Sequence, residues 1–331
     1  MGINSIELAG PLKVLPPADF CCAYGSFLLS NNTDKNSMVD YIIGVADPEK
    51  WHAENFERNR NHYSRWMVAL GPKMITSVAD RVGAGVHFNP FVEWKDKIIK
   101  YGVVRMHDLA QDILTWDQFY LSGRLQKPVC VLIDNWDIRK VNLVNLKAAM
   151  CAALLLLPPT FTEEDLYVKI CGLSYMGDLR MLFAEDKDKV KKIVQGSFKT
   201  FQAIYKPLLK EFADEGLLEF GYCPHSAFQQ DCGFSATTSL FGSLPSTVHS
   251  TMFWGKHKRV TTDSSLAGEL PSAILVNSRE QASSRVRRAL RRAVMVSSAR
   301  QAVSGLLTTG GVNAARYLMR KMSKAWKSRT I

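Results

Sequence analysis

Gly25-Ser26 closes a short apolar run, FCCAY, and fourteen residues after Ser26 a single carboxylate, Asp40, stands inside a second run, MVDYIIGV. A carboxylate in a segment that otherwise favours burial is costly unless it is paired or binds a metal. Glycine lets the backbone come close to a phosphate chain. A serine hydroxyl and neighbouring N–H groups at a helix start donate to phosphate oxygens. An aspartate on the next strand can hold Mg2+, which takes oxygen ligands and bridges substrate phosphates. Strand, Gly-Ser turn, helix start and aspartate-bearing strand together suit nucleotidyl transfer. Alone, the same residues read equally as an ordinary turn and a solvated strand-edge carboxylate.

Other residues could complete such a site. Arg124 and Lys127, in GRLQKPV, fall between a predicted helix end and a predicted strand start. Arginine offers bidentate phosphate contacts and lysine a compact charge, although cations at a helix end also stabilise the helix itself. Nucleotidyl-transfer sites commonly carry two carboxylates two residues apart, but Met38 and Ile42 flank Asp40 at that spacing. Asp134 and Asp178 are the candidates for a second metal ligand. His52, Asn55, His62, Tyr63 and Ser64 cluster in WHAENFERNRNHYS, and Asn89, Lys100 and Tyr101 follow. These are candidate site neighbours; the competing reading is a polar helix face with its caps.

The elements that must position these residues form an α+β pattern. Phe20–Tyr24 and Met38–Val45 read as strands bounded by turn residues. Residues 48–70 have helical spacing through Trp51, Phe56, Tyr63 and Trp66. GVHFNPFVEW and KIIKYGVVRM read as a strand pair, HDLAQDILTWDQFYLSGR as a helix ending near Gly123, and KPVCVLID as a further strand. From about residue 139 the pattern is helical: Val141 to Leu157, then a helix opened by Thr162 and Asp165 as a capping box, then Asp186 to Phe212. Residues 225–283 are rich in Ser, Thr, Gly and Pro and read as a loop-rich connection. The expected division is 1–138, 139–224, 225–283 and a tail at 284–331.

The chain has 331 residues and a net charge of +11, concentrated at one end. Residues 281–331 hold twelve basic side chains and no acidic one, while the remainder holds 30 basic and 31 acidic. Val286, Leu290 and Val294 recur at helical spacing among Arg287, Arg288, Arg291 and Arg292. Leu318, Met322 and Trp326 recur among Arg320, Lys321 and Lys324. This is the pattern of an interfacial amphipathic helix on an anionic membrane, or of a helix packed on the body with a solvated basic face. No basic groove interleaved with aromatics is evident, so no nucleic-acid partner is expected. The longest apolar run, Ala148 to Leu157, has ten residues, against about 20 for a bilayer span. Seven scattered cysteines, several in apolar runs, read as reduced core thiols. The N-terminal MGINSIELAG lacks a basic, then apolar, signal pattern, and Ile6 departs from the myristoylation motif.

YGS followed by VDYIIGVADPEKWHAENFERNRNHYS, with GAGVHFNPFV, IKYGVV, YLSGRLQKPV, ALLLLPPTFTEEDLY and GLSYMGDLRM, resembles the mitochondrial CDP-diacylglycerol synthase family, the translocator assembly and maintenance proteins. The similarity runs in order over residues 20–181. It implies a nucleotidyltransferase-fold domain followed by a helical winged-helix-like domain. It also implies Mg2+-dependent reaction of CTP with phosphatidic acid, giving CDP-diacylglycerol and pyrophosphate on the route to cardiolipin, peripherally on the matrix side of the mitochondrial inner membrane. Under that resemblance Gly25, Ser26, Arg124 and Lys127 hold the CTP phosphates and Asp40 binds Mg2+. Where relatives continue the turn as Gly-Ser-Gly, Phe27 stands here. The alternatives are a nucleotidyltransferase acting on RNA or another nucleotide, and a non-catalytic membrane assembly factor. Oligomeric state is not readable from the sequence.

Overall fold

The computed structural model describes residues 5–32, 34, 37–178, 188–221, 227–250 and 276–309. Two short apolar runs become adjacent central strands. β1 (Phe20–Tyr24) pairs antiparallel with β2 (Val39–Val45), matching Phe20 to Gly44 and Tyr24 to Asp40. β3 (Val86–Trp94) and β4 (Lys97–Arg105) form the expected antiparallel pair, and β4 runs parallel to β2. β5 (Cys130–Asp134) joins the other edge of β1, giving a mixed sheet of order β3-β4-β2-β1-β5.

Period-two alternation splits this sheet into two faces. Cys21, Ala23, Tyr41, Ile43, Tyr101 and Val103 share one apolar cluster with Leu8, Leu15 and Trp51. Phe20, Cys22, Tyr24, Ile42 and Val104 share another with Met106, Leu109, Ile113, Leu125 and Ile138. The first face is covered by the N-terminal segment, including α1 (Ser5–Ala9), and by α2 (Pro48–Arg58). The second is covered by α5 (Met106–Thr115), α6 (Ser122–Leu125) and α7 (Ile138–Leu156).

The single helix expected over 48–70 is interrupted: α2 ends at Arg58 with Asn59 as its C-cap, a 3-10 turn spans Arg60–His62, and α3 (Arg65–Leu70) precedes α4 (Pro72–Arg81). The helix expected to end near Gly123 stops earlier, where Trp116 takes a left-handed conformation with φ of 59°.

The second half is built on α7, α8 (Glu163–Leu173) and the long α9 (Lys189–Asp214). Thr162 and Asp165 form both halves of the capping box that opens α8. A small antiparallel sheet of order β6-β8-β7 joins Thr160–Thr162, Ala227–Gln230 and Leu218–Phe220. Among its described residues the stretch read as loop-rich therefore contributes a strand, α10 (Phe234–Gly242), α11 (Ser246–Ser250) and the first residues of the long C-terminal helix. Ala236, Leu240 and Phe241 are buried, and such packing overrides weak local helix propensity.

In its first half the basic tail follows the second of its two readings, a helix packed on the body with a solvated basic face. α12 (Arg279–Thr309) begins before residue 284 and packs on the body. Val286, Leu290 and Val294 lie in the helical core, so that apolar stripe faces protein rather than lipid. Arg287, Arg288, Arg291 and Arg292 are exposed on the outer side. Arg320, Lys321, Lys324 and Trp326 lie outside the described residues. No described helix is long and apolar enough to cross a membrane. The described cysteines are all free thiols.

Candidate functional site

The Gly25-Ser26 turn and Asp40 meet because β1 and β2 are neighbours in register. Gly25 has φ of 101°, and a methyl group there would stand 2.6 Å from Asp40 Oδ2. Both the backbone angle and the space exclude a side chain. The expected helix start after Ser26 is one 3-10 turn, Ser26–Leu28, and Ser26 is exposed. Phe27 turns away from this turn: its ring packs with the cluster on the other sheet face, 5.0 Å beneath Lys97 Nζ.

Asp40 is half-buried, its side chain 25% exposed. It pairs in register with Lys100 on β4, whose Nζ lies 3.9 Å from Asp40 Oδ1 and 4.2 Å from the Phe88 ring centroid. On the same face the Arg124 guanidinium lies 4.3 Å from the centre of the Tyr24 ring. Burial opposes the Arg124 charge, but the phenols of Tyr24, Tyr175 and Tyr120 and the carboxylate of Asp40 hold its pKa above the ordinary arginine value.

Lys127 is buried and donates to Ser174 Oγ, with its Nζ 4.9 Å from the Tyr175 ring centroid. Arg124 and Lys127 line one cleft with Tyr120, Ser174, Tyr175 and Asp178, and with Val294, Ser297 and Ser298 of α12. Close approach of α6 to the end of α8 depends on Gly123, where a methyl group would stand 2.7 Å from Ser174 Cβ.

Two polar hubs that fix the segment before and around Arg124 were not legible in the sequence. Asp112, buried on α5, accepts from the backbone N–H groups of Gln118, Phe119, Leu121 and Ser122. Burial pushes its pKa up and those four donors act against the shift. Asn145, buried on α7, accepts from Trp116 Nε1 and Gln126 Nε2 and donates to Ser122 O. Both residues sit among apolar neighbours at helical spacing, and that misplaced polarity was the available signal.

The two second-carboxylate candidates separate. Asp134 pairs with Phe20, four residues along β1 from Tyr24, a distance of about 13 Å at strand rise. Its oxygens accept from the N–H groups of Ile138 and Arg139 at the start of α7. Asp134 therefore caps a helix at the other end of the sheet and does not share an ion with Asp40. Asp178 is buried in the cleft beside Arg124 and Lys127.

The candidate neighbours also divide by face. Asn55 Nδ2 donates to the hydroxyls of Tyr63 and Tyr101 at 2.7 and 2.9 Å. His52 Nδ1 lies 2.8 Å from Tyr63 Oη, and His62 Nδ1 lies 2.9 Å from Tyr101 Oη. Asn89 Oδ1 is 3.0 Å from His87 Nε2. Because Tyr101 belongs to the α2 face, this network lies across the sheet from Asp40. It fastens α2 and the 60–62 turn to β3 and β4. Ser64 instead donates to Thr308 O of α12. Burial lowers the pKa of His62 and of His87 to about 4, and that of His52 well below its usual value, with His87 adding to the last. Of these candidate neighbours only Lys100 joins Asp40.

Among the described residues no three His, Cys, Asp or Glu side chains gather to hold a metal. One partly exposed carboxylate beside a glycine that leaves it room still fits Mg2+, an ion commonly held by one or two carboxylates plus substrate phosphates and water. The assembled face is thus a carboxylate and a glycine turn flanked by Lys100 and Arg124, with Lys127 in the cleft that Arg124 also lines, an arrangement suited to a polyphosphate.

Comparison with known proteins gives one answer. A family model described as mitochondrial phosphatidate cytidylyltransferase matches residues 8–324. The chain is 35% identical to the protein of that name from Danio rerio, over 94% of this chain and 92% of the relative. Identity to the Bos taurus protein of the same name is 36%, over 92% of this chain and 90% of the relative. For the Schizosaccharomyces pombe protein the figures are 32%, 95% and 81%.

Proposed function

The chain belongs to the mitochondrial phosphatidate cytidylyltransferase family, and on that premise we propose that it makes CDP-diacylglycerol and pyrophosphate from CTP and phosphatidic acid. The observation that carries the reading is the fit of Gly25 against Asp40, with Lys100 and Arg124 around them on one sheet face. The five-stranded mixed sheet supports a nucleotidyltransferase-type fold for the first half. The three-stranded sheet beside α7, α8 and α9 supports a winged-helix-like second half.

In this reading a phosphatidate oxygen attacks the α-phosphorus of CTP, the bond to the bridging oxygen breaks, and pyrophosphate leaves with that electron pair. A phosphate oxygen is already anionic near neutral pH, so catalysis rests on positioning and charge neutralisation. Gly25 lets the phosphate chain approach the backbone, and Ser26 donates its hydroxyl. Arg124 and Lys127 neutralise the charge that grows on the departing pyrophosphate. Lys100 holds the Asp40 carboxylate in place. Mg2+, with Asp40 as its protein ligand and Asp178 as the candidate second carboxylate, would supply further charge neutralisation when bound. The relatives' names support a mitochondrial location. A peripheral position on the matrix side of the inner membrane, with the basic C-terminal region on anionic lipid, completes the proposal.

The test is transfer of label from CTP to phosphatidate vesicles in Mg2+, beside an RNA acceptor. Lipid-linked CMP, absent with Asp40→Asn, is expected. Label in RNA, or no transfer by folded protein, would overturn the reading.

A further inference from the structure

α9 is broken near its start. Ser197 has φ of −138° and ψ of 24°, outside the helical region, so residues 189–196 form a separate first segment. At one end of that segment, Lys189 Nζ lies 5.5 Å from the ring centroid of Tyr175, the ring that also carries Lys127 Nζ at 4.9 Å. At the other end, Ser30 donates to Gly196 O through both its backbone N–H and its Oγ, at 2.8 and 2.9 Å. Asn31 Nδ2 donates to Lys192 O at 3.0 Å. A helix that stops leaves its last carbonyls without intrahelical partners. Here the loop just after the Gly25-Ser26 turn supplies one. The segment, about 10 Å long at helical rise, is thus tied to the turn at one end and reaches the phosphate cleft at the other.

We propose that Lys189 is a third phosphate-binding cation of this site, held in place by the Ser30–Asn31 latch, and that it takes the pyrophosphate half of a nucleoside triphosphate. This rests on the proposed transfer reaction and names a residue for it. Among the described residues Arg124 and Lys127 line the cleft with one carboxylate, Asp178. Lys189 places a third cation at the ring that already carries Lys127, and converging cations suit a polyanion. Helix stability does not account for it, because a lysine at the first position of a helix opposes the dipole. The buried Cys171 thiol, pushed up by its burial, is drawn back down by Lys127, Arg124 and Lys189, which marks the convergence of the three charges on one spot.

Titration calorimetry of the full chain with Mg2+ and no lipid tests this, using inorganic pyrophosphate, CTP and CMP as probes. Lys189→Ala is expected to weaken pyrophosphate and CTP at least fivefold and leave CMP within twofold, since CMP lacks the pyrophosphate half. Lys189→Arg should stay within twofold of wild type for all three. Ser30→Ala combined with Asn31→Ala should weaken pyrophosphate about threefold with Lys189 intact; no loss there overturns the latch. Equal pyrophosphate affinity in wild type and Lys189→Ala overturns the role of Lys189, as does an equal loss for CMP. A wild-type protein that binds neither CTP nor pyrophosphate overturns the underlying site reading as well.

Discussion

Asp40 and Gly25 occupy complementary space across the β1–β2 pair, and this is where the smallest change has the largest expected consequence. Alanine at position 25 must adopt φ near 101° and place a methyl group against Asp40 Oδ2. Strain of this kind costs about 1–3 kcal/mol, and relief requires Asp40 to move. Gly25→Ala is therefore expected to lower the transfer rate at least a hundredfold and stability by about 1–2 kcal/mol, read from initial rates and urea unfolding. A variant with the wild-type rate would show that the fit has no role. The turn and the aspartate were legible in the sequence because residue type alone signals them. The separation of His52, Tyr63 and Tyr101 from Asp40 was not. Which face a side chain takes depends on strand register, and a neighbouring position in the chain lies on the opposite side of the sheet.

At the scale of elements, the strands of the five-stranded sheet announced themselves as apolar runs and paired segments with bounding turns. The strands of the small sheet, three or four residues each, are too short to show a period. The break in α9 was hidden because Asp186 to Phe212 keeps its apolar spacing through Ser197. The histidine network makes an element-level prediction. His87 is neutral in the fold, with a pKa lowered to about 4 from the ordinary 6.5, and His62 likewise. The unfolded chain takes up these protons as pH falls below about 6.5, while the fold resists until about 4. Stability from this network is thus fully present above pH 6.5 and is lost as pH falls from 6.5 towards 4. Each proton contributes a slope of at most about 1.4 kcal/mol per pH unit. Thermal melts of wild type and His87→Gln across this range should show a shallower decline in the variant. Parallel curves would contradict the assignment.

Across the whole molecule, charge and packing are divided along α12. Its apolar stripe completes the helical core, and Val294, Ser297 and Ser298 wall the cleft that holds Arg124 and Lys127. Its exposed arginines face outward. The sequence pattern could not distinguish lipid from protein as the cover of the apolar stripe, since both are apolar partners for the same periodicity. In the proposed attachment this outer face meets the anionic surface. Replacing Arg287, Arg288, Arg291 and Arg292 together with Gln should reduce co-sedimentation with anionic vesicles at least tenfold, given about 1 kcal/mol per cation at such a surface. The melting temperature should hold, because these side chains lie outside the core; undiminished vesicle binding would assign attachment elsewhere. The central claim concerns the bond that is made. It is tested most directly with CTP labelled at the α-phosphorus or at the γ-phosphorus, phosphatidate vesicles and Mg2+, comparing wild type with Asp40→Asn. The expected result is α-label in the lipid and γ-label in pyrophosphate, with the rate down at least a thousandfold in the variant and its fold intact; γ-label in the lipid, or full activity of Asp40→Asn, would contradict it.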